Sequence, residues 1–175
     1  MEVIPPLILA HGASGDAASM EQHVKGLRAR GIDAKALDIP RSNATRAAQR
    51  FVDVTGERLG VTALGGHSYG GRVASLVAAE HDVAGLVLLS YPLHRPGHFE
   101  DPRTEHWGQI ACPVLLLSGE ADPFARIDEL RDAVRSLRHA TLITYPHVGH
   151  GLGPVLEDAL DQIAAFLRAV NDERH

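Results

Sequence analysis

Short apolar runs recur along the chain without polar alternation: LILA (7–10), VTAL (61–64), LVLL (86–89), VLLL (114–117) and TLITY (141–145). A strand with one wet face alternates polar and apolar residues, whereas a strand covered on both faces must be apolar on both sides of its pleat. A sixth run, DAKALDIP (33–40), carries more polar residues and fits an edge strand. The segments between the runs have helical period. Met20, Val24 and Leu27 precede Gly31, and Ala47, Ala48, Phe51 and Val52 precede Gly56, each glycine placed to end a helix. Further stripes are Val73, Leu76 and Val77; Ile127, Leu130, Val134 and Leu137; and Leu156, Leu160, Ile163, Phe166 and Leu167. Strand and helix alternating from end to end predict an α/β fold with three α/β/α layers around a mostly parallel sheet of about six strands. The 175 residues suit one domain, 1–175.

Composition excludes several classes. With 45% hydrophobic and 22% charged residues the chain is neither disordered nor fibrous. Its net charge of -5 is spread along the sequence rather than blocked, so no nucleic-acid surface and no basic membrane-binding face is expected. A single cysteine, Cys112, cannot form an internal disulfide and fits a reducing compartment. The start, MEVIPPLILAHG, carries Glu2 and two prolines and lacks the basic region of a signal peptide. No apolar stretch reaches membrane-spanning length. The expectation is a cytoplasmic monomer or homodimer acting on a small molecule, with no nucleic-acid or membrane partner.

The stretch LGGHSYGG (64–71) crowds glycines around Ser68, directly after an apolar run and directly before a helical stripe. Gly66-His67-Ser68-Tyr69-Gly70 has the G-x-S-x-G spacing of a strand-to-helix turn that lifts a serine clear of its backbone. A serine hydroxyl attacks only if a base takes its proton, and the base needs an orienting acid. The chain order Ser, acid, His is met by Asp122, just past VLLL, and His150, just past TLITY. Glu120 and His147 are the rival acid and base. An oxyanion needs two donors: the N–H of Tyr69, after the serine, and the N–H of Ala13 in the loop LILAHGASGD. That loop has neither the Lys-Ser/Thr ending nor the G-x-G-x-x-G spacing of a phosphate cradle. Of the 11 histidines, His94/His98 and His147/His150 have ligand-like spacing, but no partner residue completes a set, so no metal and no cofactor is expected.

With these residues in order, the chain resembles the α/β-hydrolase superfamily over nearly its whole length. More narrowly, SYPLHRPGHFEDPRTEHWGQIACPVLLLSGEADPF (90–124) resembles a group of small, lidless α/β-hydrolases that includes testis-expressed hydrolase-like proteins and a chromatin-complex subunit, with dienelactone hydrolases more distant. YPLH-x-PG and RTEH carry that narrower match. The resemblance implies a sheet without the family's first two strands, a Ser-Asp-His triad and no large cap. Such relatives often have a basic residue before the serine and Met or Leu after it; here His67 and Tyr69 stand there, so no substrate is carried over. The function expected is a serine hydrolase of small carboxylic esters or thioesters, with a non-catalytic interaction module as the alternative. His11, His67, Tyr91 and His94 are the expected substrate contacts. Arg95, Arg103 and His94, on the proline-broken stretch from Pro92 to Pro113, face either solvent or a polar or acidic substrate group.

Overall fold

A computed structural model describes residues 3–95, 97–100 and 102–173. Its strands are β1 (Leu7–Ala10), β2 (Ala34–Leu37), β3 (Ala63–His67), β4 (Gly85–Leu89), β5 (Val114–Gly119) and β6 (Ala140–Tyr145). Its helices are α1 (Glu21–Ala29), α2 (Ala44–Thr55), α3 (Tyr69–Glu80), α4 (Ile127–Ala133) and α5 (Leu156–Glu173). The strands form one sheet in the order β2-β1-β3-β4-β5-β6, and every neighbouring pair is parallel. The expected mostly parallel sheet is wholly parallel.

The apolar runs are explained by what each side of the pleat meets. Leu86, Leu88 and Leu116 join Phe51 of α2, Val73 and Val77 of α3 and Leu130 of α4. Their neighbours Val87, Leu89, Leu115 and Leu117 point the other way, to Val24 and Leu27 of α1 and Leu160, Ile163 and Leu167 of α5. Successive side chains alternate faces and both faces are covered, so the runs LVLL and VLLL hold no polar position. The polar run forms β2, at one edge, where Lys35 is exposed between the buried Ala34 and Leu37.

Two element boundaries differ from expectation. The run at 61–64 becomes a strand only from Ala63 and continues to His67, because Gly56–Val61 winds as a 3-10 turn that leaves Val61 53% exposed. The Thr62 hydroxyl holds that turn by donating to the Arg58 carbonyl at 2.7 Å. The stripe from Ile127 to Leu137 is not one helix: α4 ends at Ala133 and passes into a 3-10 turn over Val134–Ser136.

Among the described residues between Pro92 and Pro113, regular structure is limited to a 3-10 turn at Trp107–Gln109, so no cap covers the sheet. The stretch is nonetheless tied down. Trp107 and Ile110 are fully buried against the α3 side of the sheet, with the Tyr91 ring edge-on to Trp107 at 4.9 Å between centroids. Leu93 N–H donates to the Phe124 carbonyl at 3.0 Å and Arg103 N–H to the Leu93 carbonyl at 2.7 Å.

A parallel sheet places all its strand C-termini along one edge. The strand order turns back at β1, which has β2 on one side and β3 on the other. Loops leaving such neighbours diverge to opposite faces and open a crevice. The loop after β1 carries Gly12 and Ala13, and the turn after β3 carries Ser68.

Candidate active site

Ser68 joins β3 to α3 with φ 51° and ψ -117°, a left-handed backbone that a residue with a Cβ rarely adopts. Two bonds hold it there: Ser68 N–H donates to the Leu89 carbonyl at 2.8 Å, and Arg72 N–H donates to the Ser68 carbonyl at 3.1 Å. The flanking glycines are needed for close approach. A Cβ on Gly66 would lie 2.5 Å from the carbonyl carbon of Gly70, and one on Gly70 would lie 2.5 Å from the carbonyl oxygens of Ala10 and His11. The turn can fold this tightly against the end of β1 only with hydrogen at both positions.

Asp122 follows β5 and His150 follows β6. His150 Nδ1 lies 2.8 Å from Asp122 Oδ2, and its Nε2 lies 2.9 Å from Ser68 Oγ. The other carboxylate oxygen, Oδ1, accepts the Phe124 N–H at 2.8 Å, and Asp122 is only 2% exposed. A carboxylate can only accept, so Nδ1 carries the proton and Nε2 presents its lone pair to the serine hydroxyl. The Phe124 ring packs on the imidazole with centroids 4.6 Å apart. The rivals lie elsewhere. His147 is exposed in a turn at φ 63°, and Glu120 Oε1 accepts the Thr144 hydroxyl at 2.8 Å.

One positioning residue escaped the sequence reading. Gly119 ends β5 directly under the His150 loop, and a Cβ there would collide with the carbonyl oxygens of Val148 and Gly149. The loop is pinned on this spot by Ala121 N–H donating to the Val148 carbonyl at 2.9 Å. A glycine at the end of a buried run, just ahead of the candidate acid, was the available signal.

Residues 40–173 match the family model of the alpha/beta hydrolase domain. The chain belongs to the alpha/beta hydrolase family. The match takes in Ser68, Asp122 and His150 but begins after the loop that carries Ala13. Solved structures of similar shape include a monoacylglycerol lipase of Paleococcus ferrophilus, 17% identical with a TM-score of 0.81, the superposition covering 95% of this chain and 96% of that one. An esterase domain from a Rhodothermus marinus protein is 17% identical with a TM-score of 0.72, covering 97% and 88%. The N-formylmaleamic acid deformylase of Pseudomonas putida S16 is 14% identical with a TM-score of 0.75, covering 93% and 92%.

In this alpha/beta hydrolase a cleft of about 780 Å³ opens over Ser68, with Gly12, Ala13, Tyr69, His67, Phe124 and His150 around the serine. The Ala13 and Tyr69 N–H groups have no acceptor among the described residues. Of the four histidine and tyrosine contacts expected from the sequence, His67 and His94 line the cleft. Tyr91 and His11 do not. Tyr91 is 2% exposed, its ring in the core and its hydroxyl donating to the Arg103 carbonyl, so it anchors the loop after β4. His11 is buried, its Nε2 accepting the Ile39 N–H at 3.1 Å while Nδ1 lies 2.8 Å from the Gly12 carbonyl, so it shapes the loop after β1.

His67 lies 5.3 Å from His150, centroid to centroid. Burial first, then the neighbouring His150, pull its pKa from 6.5 to about 4. His106, which meets Ser75 Oγ at 2.7 Å, is likewise lowered to about 4 by burial and then by Arg72. Both side chains are therefore neutral at pH 7 in the folded protein. A histidine lowered on folding stabilises the native state above its unfolded pKa, and that stability is lost as pH falls through the folded value. The melting temperature should fall as pH drops from 6.5 to about 4. His67→Asn should flatten that fall, and unfolding near pH 5 should take up about one proton fewer in the variant. Identical slopes for wild type and variant would contradict the assignment.

Proposed function

We propose that this alpha/beta hydrolase is a serine hydrolase that cleaves small carboxylic esters or thioesters through an acyl-enzyme on Ser68. The observation that carries the reading is the unbroken path from Ser68 Oγ through the His150 ring to the buried Asp122, at the floor of an open cleft. As Ser68 Oγ attacks the acyl carbon, His150 Nε2 takes its proton and Asp122 stabilises the imidazolium. The oxyanion that forms accepts from the N–H groups of Ala13 and Tyr69. Collapse of the tetrahedral intermediate breaks the bond to the leaving oxygen or sulfur, which takes the proton from His150. Water then attacks the acyl-serine with His150 again as base, releasing the acid and restoring Ser68.

Supporting this, the similar structures reported above are named as a lipase, an esterase and a deformylase. A non-catalytic module would have no use for a strained serine hydrogen-bonded to a histidine that a buried aspartate backs. The narrower grouping with small lidless α/β-hydrolases rests on YPLH-x-PG and RTEH. Among the described residues no helix is long and apolar enough to cross a membrane. The cytoplasm and a single domain over 1–175 complete the reading.

The apolar side chains around the cleft are Ala13, Ala44, Tyr69, Pro92 and Phe124, and no cap extends them into a deep pocket. Each methylene buried is worth about 0.8 kcal/mol, so an enzyme with a deep pocket would gain steadily with acyl length. This one should turn over 4-nitrophenyl acetate and butyrate with higher kcat/KM than the decanoate, and without interfacial activation. Hydrolysis of none of the three would overturn the reading. A preference for the decanoate would instead show that the loop after β4 closes as a lid.

A further inference from the structure

Arg41, Arg72, Arg95 and Arg103 all line the cleft over Ser68, and among the described residues no aspartate or glutamate does. The chain as a whole is acidic, with 22 Asp and Glu against 17 Lys and Arg. This wall is therefore a local reversal of the protein's charge. Arg41 comes from the loop between β2 and α2, Arg72 from α3, and Arg95 and Arg103 from the loop after β4. Arg72 stands four residues after Ser68 and donates its backbone N–H to the Ser68 carbonyl, which puts it one helical turn, about 5.4 Å along the axis, from the serine. Its Nε is buried with no acceptor among the described residues. A buried donor left unpaired on a cation is costly and gains most from an anionic acceptor. Arg41 is exposed and pairs with no carboxylate among the described residues, and its loop is tied to α3 by the Tyr69 hydroxyl, which donates to the Pro40 carbonyl at 2.9 Å. Arg95 and Arg103 are engaged with other groups of the protein, so the inference rests on Arg41 and Arg72.

We propose that the substrate is an anionic short-chain ester or thioester, its carboxylate or phosphate held by Arg41 and Arg72 within a few bonds of the scissile acyl carbon. The inference rests on the acyl-transfer reading of Ser68. Guanidinium groups match both anions with paired N–H donors and keep their charge at all working pH values. A cleft of one sign also concentrates the opposite charge, an effect that salt screens. The same wall disfavours a long neutral acyl chain, which would have to desolvate the guanidiniums without pairing them.

The test compares matched acetates on the wild-type protein: 4-acetoxybenzoate and 4-acetoxyphenyl phosphate against the neutral methyl 4-acetoxybenzoate. A second pair, 4-nitrophenyl hemiadipate against 4-nitrophenyl hexanoate, places the anion on the acyl side. At low salt the preferred anionic ester should exceed its neutral partner in kcat/KM by about tenfold or more, chiefly through KM. The first comparison separates carboxylate from phosphate, and the second separates leaving group from acyl group. Added salt should shrink the ratio. Arg41→Gln and Arg72→Gln should each bring it towards unity. Arg72 is half-buried, so the exposed Arg41 and the salt series on the wild type decide the matter without depending on how that variant folds. Equal or slower turnover of every anionic ester, or variants that lower both partners of a pair in proportion, would overturn the inference. Neutral esters hydrolysed in a Ser68-dependent way with no anionic preference would remove this inference alone. No hydrolysis of any ester together with an unlabelled Ser68 would remove the acyl-transfer reading and this inference with it.

Discussion

Ser68→Ala should abolish covalent labelling by a fluorophosphonate probe and lower kcat by on the order of 10⁶, the scale of losing a triad nucleophile. Two other serines end strands at the same edge of the sheet. Ser90 follows β4 with φ 52°, and Ser118 lies near the end of β5. Both are buried, and their hydroxyls have no hydrogen-bond partner among the described residues. Neither has a base, so neither hydroxyl can lose its proton at neutral pH. Ser68 alone of the three meets an imidazole lone pair and faces an open cleft. Intrinsic label retained by the alanine variant would move the nucleophile, with Ser90 and Ser118 the next to substitute.

Asp122→Asn should keep the fold and lower kcat by about 10⁴. The reason lies in the two oxygens of the carboxylate. Oδ1 accepts the Phe124 N–H, so an asparagine keeps its carbonyl oxygen there and turns its NH₂ towards His150 Nδ1. Donor then faces donor, and the imidazole escapes by moving its proton to Nε2. The lone pair that would take the Ser68 proton is lost while every heavy atom stays in place. Glu120→Gln should change kcat little, since Glu120 meets Thr144 and lies 3.9 Å from Arg131, away from the imidazole. A larger loss from Glu120→Gln than from Asp122→Asn would reassign the orienting acid. Unchanged thermal melting of Asp122→Asn separates the tautomer effect from simple destabilisation.

The parts of this molecule legible in the sequence are those whose physical cause is local. LVLL and VLLL had to be buried strands because consecutive residues feed opposite apolar layers. The glycines around Ser68 were legible because a close backbone approach excludes a Cβ, and that exclusion is written in the glycines themselves. The edge strand showed itself through Lys35, which faces solvent. Where a choice depended on which way a side chain points, the sequence kept two options open. Asp122 and Glu120 are two residues apart at the end of β5, and only the bend after Gly119 aims the first at His150 and the second at Thr144. His147 and His150 share one loop, and the left-handed turn at His147 leaves it exposed while His150 reaches Ser68.

The expected substrate contacts show the same division. Tyr91 and His11 stand beside functional motifs, yet burial turned both into supports for the backbone they belong to. The arginines are the reverse case. Arg95 and Arg103 were legible as candidate contacts for an acidic substrate group, but Arg41 and Arg72 are isolated in the sequence and carried no such signal. The parallel sheet brings the loops after β2, β3 and β4 to one edge, and so collects four separated cations around one cleft. Periodicity and glycine placement are short-range consequences of backbone geometry and burial, and the amino-acid order alone determines them. Which charges and hydrogen-bonding groups meet is a long-range consequence of strand order, and only the folded sheet decides it.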